Sequence, residues 1–140
     1  MSKNGPIVLV EDDVDDQELI TEVIGKLGFS NTVKIFINGR EALDYLQLTS
    51  EQPFIIFCDV NMPVMNGLEL RQQINEDESL RRKSIPFVFL TTASDKRPIQ
   101  KAYELNVQGF FTKPHDINEL QSIMQCTLKY WQWCLHPNTN

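Results

Sequence analysis

Phe54-Ile55-Ile56-Phe57-Cys58-Asp59-Val60-Asn61-Met62-Pro63-Val64-Met65-Asn66-Gly67 is the stretch whose reading decides the fold. A continuous apolar run delivers a single carboxylate, Asp59, and the chain then turns sharply. A run with no polar alternation reads as a strand buried on both faces, as in a parallel sheet. Its end places Asp59 at the carboxyl edge of that sheet, where open α/β folds hold their ligands.

Outward from this strand the same pattern recurs. Ile7-Val8-Leu9-Val10 is a second strand of the buried type, ending on the acidic run Glu11-Asp12-Asp13-Val14-Asp15-Asp16. Leu19, Ile20, Val23, Ile24 and Leu27 then share one helical stripe that Gly28 closes, with Asp15 or Asp16 expected as its cap. Residues 33–37 predict a strand nearer an edge, Asn38-Gly39 a turn, and Ala42, Leu43 and Leu46 a short helix. Leu68, Leu70 and Ile74 outline a third helix, after which the charged segment through Lys83 is expected to be a solvated helix end and loop. Residues 86–90 make a fourth strand ending on Thr91, and Ile99, Ala102, Tyr103 and Leu105 mark a fourth helix. Phe110-Phe111-Thr112 is a fifth strand, stopped by Lys113-Pro114. The last helix starts at Asp116, with Glu119 completing a capping box, and is expected to run to Leu135. Five strands alternating with five helices predict an α/β fold with a doubly wound parallel sheet. The expected organisation is a single domain over residues 1–136, a frayed tail at 137–140 and no output domain.

Composition narrows the class. The chain has 140 residues, 41% apolar and 23% charged, an ordinary balance for one soluble domain. A net charge of −6 argues against nucleic acid or an anionic membrane as a direct partner, because phosphate binding needs a basic surface. No run approaches the ~18 apolar residues of a membrane span, and the first residues lack a signal-peptide pattern. Cys58, Cys126 and Cys134 lack metal-ligand spacing and read as thiols of a reduced, cytoplasmic protein.

Right-handed crossovers bring the carboxyl ends of all the strands to one edge. Glu11 and Asp12, Asp59, Thr91 and Lys113 therefore converge. Carboxylates gathered in this way repel one another unless a cation sits among them, and an oxygen-only set suits a hard ion such as Mg²⁺. The Thr hydroxyl and Lys ammonium are then left to bind an anion. Together these groups describe phosphoryl chemistry at a carboxylate.

The acidic pair Glu11-Asp12 after the first strand, Asp59-Val60-Asn61-Met62-Pro63 with Gly67, Thr91 after the fourth strand and Lys113-Pro114 after the fifth are together a specific signature. On these motifs the chain resembles the receiver domain of bacterial two-component response regulators, of the stand-alone, chemotaxis-regulator-like kind. The resemblance implies a flavodoxin-like sheet of order 2-1-3-4-5. It implies that Asp59 is the phosphoacceptor, taking its phosphoryl group from a phosphohistidine on a histidine kinase or histidine phosphotransfer protein. Asp12, Asp59 and the backbone carbonyl of Asn61 would bind Mg²⁺ directly, and Glu11 through a water. Lys113 would pair with Asp59 and then with a phosphoryl oxygen, Thr91 would swing to donate to that group, and Phe110 stands at the position of an aromatic switch. The Lys113-Pro114 bond would be cis. Thr92 departs from the smaller residue usual beside the switch Thr and would narrow access to the phosphoryl group.

Asp12-Asp13 is an alternative register for the acidic pair; Glu11-Asp12 is preferred because it follows Val10 directly. Asp13, Asp15 and Asp16 are expected to be solvated or capping. On this reading the protein is a phosphorylatable switch of protein–protein contacts rather than a turnover enzyme, with an unidentified downstream target. One rival is a haloacid-dehalogenase-like phosphatase, whose Asp-x-Asp after the first strand this chain lacks; another is a receiver-like binding module that is never phosphorylated. Tyr130 and Trp133 do not share the stripe of Leu120, Ile123, Met124, Leu128 and Trp131, and are expected to dock a partner or a second copy in a homodimer through the last helix.

Overall fold

Three strands are buried along their whole length, and the period of two along them sorts their side chains into two cores. The computed structural model describes residues 2–92 and 96–135; His136 and the expected tail at 137–140 lie outside the described residues. Strands β1 (Ile7–Val10), β2 (Val33–Phe36), β3 (Ile55–Cys58), β4 (Phe87–Thr91) and β5 (Gly109–Thr112) form one parallel sheet in the order β2-β1-β3-β4-β5. They alternate with helices α1 (Val14–Lys26), α2 (Gly39–Leu48), α3 (Gly67–Glu76), α4 (Glu78–Arg82), α5 (Lys96–Glu104) and α6 (Ile117–Trp133).

Ile7, Leu9, Ile55, Phe57, Val88 and Leu90 pack with Ile20, Val23 and Ile24 of α1 and Leu120, Met124 and Leu128 of α6. The intervening Val8, Val10, Ile56, Cys58, Phe87 and Phe89 pack with α2, α3, α4 and α5 through Leu43, Leu46, Leu70, Ile74, Leu80 and Ala102. The expected doubly wound sheet and its order are therefore present. Each large apolar side chain buried here stabilises the fold by about 1.5–3 kcal/mol over an exposed one. The central strands are thus a rigid frame for whatever their ends carry.

The described residues form six helices where five were expected. Residues 75–83 are not simply solvated: Asp77 ends α3 and also caps α4, its Oδ1 accepting from the Leu80 N–H at 3.1 Å, and Leu80 is buried. The cap of α1 is Asp13 rather than Asp15 or Asp16, with its Oδ1 accepting from the Asp16 N–H at 3.0 Å. Asp116 caps α6 as expected but accepts from the Asn118 N–H. The reciprocal capping box instead forms at α3, between Asn66 and Glu69. Along α6, Tyr130 and Trp133 are 63% and 83% exposed while Leu120, Met124 and Leu128 are buried, so the two aromatics do stand off the stripe. No described helix is long and apolar enough to cross a membrane.

Candidate functional site

Backbone hydrogen bonds past the ends of the ladders fix the spacing of the site residues. The Glu11 N–H donates to the Phe36 carbonyl at 2.9 Å, the Asp59 N–H to Val10 at 3.0 Å and the Lys113 N–H to Thr91 at 2.7 Å. Each residue thus continues its parallel strand by one step beyond the regular pairing. The turn after Asp59 folds back tightly, with the Gly67 N–H donating to the Val60 carbonyl at 2.9 Å. A Cβ on Gly67 would lie 2.2 Å from the Asp59 carbonyl oxygen and 2.6 Å from the Phe89 ring, so only glycine lets α3 start against the end of β3. Val64, in the same turn, holds a φ of 69°, a left-handed conformation that is strained for a β-branched residue.

Four of the expected site groups meet directly. The Thr91 hydroxyl, fully buried, donates to Asp59 Oδ1 at 2.6 Å, and the Asn61 N–H reaches the same oxygen at 3.3 Å. The Lys113 ammonium donates to Asp59 Oδ2 at 3.3 Å and makes a closer contact with Glu11. Ligand oxygens of Glu11, Asp12 and Asp59 lie within 4.8 Å of one another. Glu11 is buried in this cluster, whereas Asp13 caps α1, so of the two registers for the acidic pair the Glu11-Asp12 one faces Asp59. Phe110 is half-buried against the Phe89 ring, with centroids 5.4 Å apart. Thr92 is exposed. The Lys113–Pro114 bond is trans, the ordinary preference of an X–Pro amide, and the described residues contain no cis peptide.

Electrostatics at the cluster are unbalanced. Burial pushes the Glu11 carboxyl up to about 7, reinforced by the Asp59 charge and opposed by Lys113. Burial alone would lower the Lys113 ammonium, but hydrogen bonds to Asp16 and Glu11 and the charge of Asp59 outweigh it and hold the group above its ordinary value. Lys113 therefore stays a cation throughout the useful pH range. One ammonium faces more carboxyl groups than it can neutralise, and a hard divalent cation fits the three-carboxylate, oxygen-only donor set.

Two contacts escaped the sequence. Asp16 Oδ2 accepts from Lys113 Nζ at 2.7 Å, a pairing across 97 residues that no local pattern announces. The Gln17 side-chain amide donates to the Glu11 carbonyl at 2.6 Å and steadies the turn into α1.

A sequence profile of the response regulator receiver domain matches residues 7–125. The chain belongs to that family. It is 31% identical over 130 residues to the response regulator Rcp1 of Synechocystis sp., spanning 89% of this chain and 87% of that one. The crystal structure of the phosphorylated cyanobacterial phytochrome response regulator RcpA superposes with a TM-score of 0.85 at 29% identity, covering 95% of this chain and 98% of that one. The Mn²⁺-bound form of Rcp1 superposes with a TM-score of 0.80 at 30% identity, covering 93% and 96%. Sheet order, fold and membership of the two-component receiver class therefore agree.

Proposed function

We propose that this receiver is a cytoplasmic phosphoacceptor switch in a two-component phosphorelay, with Asp59 as the acceptor. A phosphohistidine on a histidine kinase or a histidine phosphotransfer protein is the donor. An Asp59 oxygen bonds to phosphorus as the phosphorus–nitrogen bond breaks and its electron pair returns to the imidazole. The observation that carries this reading is the double hold on Asp59, by the Thr91 hydroxyl on one oxygen and the Lys113 ammonium on the other. Those two donors stand where a phosphoryl group on Asp59 would need partners.

Asp12, Asp59 and the Asn61 carbonyl are the groups we assign to Mg²⁺, with Glu11 acting through a water. When bound, Mg²⁺ supplies charge neutralisation for the transferring phosphoryl oxygens. Thr91 and Lys113 orient those oxygens, and Phe110 follows Thr91 as an aromatic switch. An added phosphoryl group brings nearly two negative charges, enough to bias the β4 and β5 ends and so the contacts made by the surface around β5 and the last helices. The exposed Tyr130 and Trp133 are assigned to that interface, with a downstream protein or a second copy of the chain.

The test is intact-mass analysis after incubation with Mg²⁺ and a small acyl phosphate. A gain of ~80 Da, the mass of one phosphoryl group, is expected for the natural chain and not for Asp59→Asn. No gain at any Mg²⁺ concentration would leave a binding module that is never phosphorylated. For the interface, Trp133→Ala is expected to shift the sedimentation profile or weaken partner affinity by roughly tenfold, as anchoring aromatics do; an unchanged profile and affinity remove Trp133 from it.

A further inference from the structure

Asp16 is a fourth carboxyl group close to the strand ends, and it has no part in the function proposed above. It stands on the first turn of α1, its side chain 32% exposed, and accepts from Lys113 Nζ at 2.7 Å. An ammonium carries three N–H bonds. Glu11, Asp16 and Asp59 are its three acceptors, and Asp59, at 3.3 Å, holds it least closely. Every N–H is therefore engaged before any phosphoryl oxygen arrives.

We propose that Asp16 is a positioning residue that draws the Lys113 ammonium off the acceptor and thereby slows phosphorylation of Asp59. The inference deepens the function proposed above and rests on Asp59 being the acceptor. Glu11, Asp12 and Asp59 are close enough to share one cation, and Asp16 is not in that group. Its charge is thus directed at Lys113. A phosphoryl oxygen reaching Asp59 must take an N–H from one of three carboxylates, and of these three Asp16 is the one outside the cation group. The same carboxylate also repels an incoming phosphate anion at close range.

An alternative role for Asp16 is purely local, as an acid favoured at a helix N-terminus. That role affects the stability of α1 and predicts no faster chemistry when the acid is removed. The two roles therefore separate by the sign of a rate change.

The experiment uses the full chain with Mg²⁺ and acetyl phosphate. An Asp59 oxygen bonds to phosphorus, the bond from phosphorus to the acyl oxygen breaks, and acetate leaves with its electron pair. Intact mass is followed against time. Asp16→Asn and Asp16→Ala are expected to raise the phosphorylation rate by roughly three- to tenfold, the size appropriate to one partly screened charge. Asp16→Glu, which keeps a carboxylate within reach, restores the slower rate. The Lys113 ammonium signal in a ¹H–¹⁵N spectrum should move in the first two variants and return towards its natural position in the third. Uptake that is Asp59-dependent but no faster in Asp16→Asn and Asp16→Ala overturns the proposal. Failure of the natural chain to take up any phosphoryl group overturns the acceptor assignment itself, a different result in a different sample.

Discussion

Arg71 and Asp59 are equally buried, each 8% exposed, yet they sit at opposite edges of the sheet and live in opposite circumstances. At the amino edge, the Arg71 guanidinium donates from Nε to the Leu105 carbonyl at 3.1 Å and from Nη2 to Asn106 at 2.9 Å, and lies 5.4 Å from the centre of the Phe87 ring. Burial pulls it down to about 10, still well above neutrality. Asn75 adds a bond to the Leu105 carbonyl, and Gln108 joins the Phe87 N–H to the Asn106 carbonyl. Around Arg71, donors and acceptors satisfy each other. At the carboxyl edge, Glu11, Asp16 and Asp59 crowd around one ammonium, with Asp12 beside Glu11 and Asp59, and repulsion is left over. Polar groups that close among themselves hold a fold together; polar groups left with charge to spare are available for chemistry.

Breaking the amino edge should cost stability and spare function. Arg71→Ala strips a charged donor from two carbonyls just past the end of α5, and a loss of about 3 kcal/mol in urea unfolding is expected, while the folded fraction is expected still to take up a phosphoryl group. A mutant that unfolds at the natural midpoint would erase the contrast between the two edges. Gly67→Ala pushes on the other edge. Its new methyl group meets the Asp59 carbonyl and the Phe89 ring, so it should cost about 1–3 kcal/mol and also lower the phosphorylation rate, because the backbone of the proposed acceptor must shift.

The smallest effect distinguishes leftover repulsion from simple burial. At ten times its dissociation constant, Mg²⁺ should stabilise the natural chain by about 1.4 kcal/mol through mass action, read as a rise in Tm. Asp12→Asn should lose most of that rise and, without metal, melt slightly above the natural protein because one like charge is gone. A Tm insensitive to Mg²⁺ would count against the assigned donor set.

The strands and most of the site were legible in the sequence for one physical reason. Strands buried on both faces read as unbroken apolar runs, and parallel winding places the next polar residue of each run at the same edge. Glu11, Asp59 and Thr91 follow that rule, while Lys113 stands one residue past Thr112 at the end of the half-buried β5. Asp16 does not follow it: among acids that look like caps, only its distance to Lys113 distinguishes it. Arg71 was equally hidden, since a charge between Leu70 and Ile74 on a helix reads as solvated until the carbonyls of Leu105 and Asn106 arrive. The segment at 77–82 was misread because its helix depends on a single buried Leu80 and a cap shared with the preceding helix.

Sequence separation adds a consequence for how the protein is made. Lys113 reaches back 102 residues to Glu11, 97 to Asp16 and 54 to Asp59. Contacts of that range close late in folding, since the chain between them must be ordered first. During synthesis the acidic residues emerge and can gather around β1 and β3 well before their counter-charge exists. A nascent chain lacking β5 is therefore a cluster of acids without its ammonium, unable to hold a phosphoryl group in the manner described. On the proposed function, competence to hold a phosphoryl group therefore arrives only with β5, the last strand of the sheet, and never with the acidic ends of β1 and β3 alone.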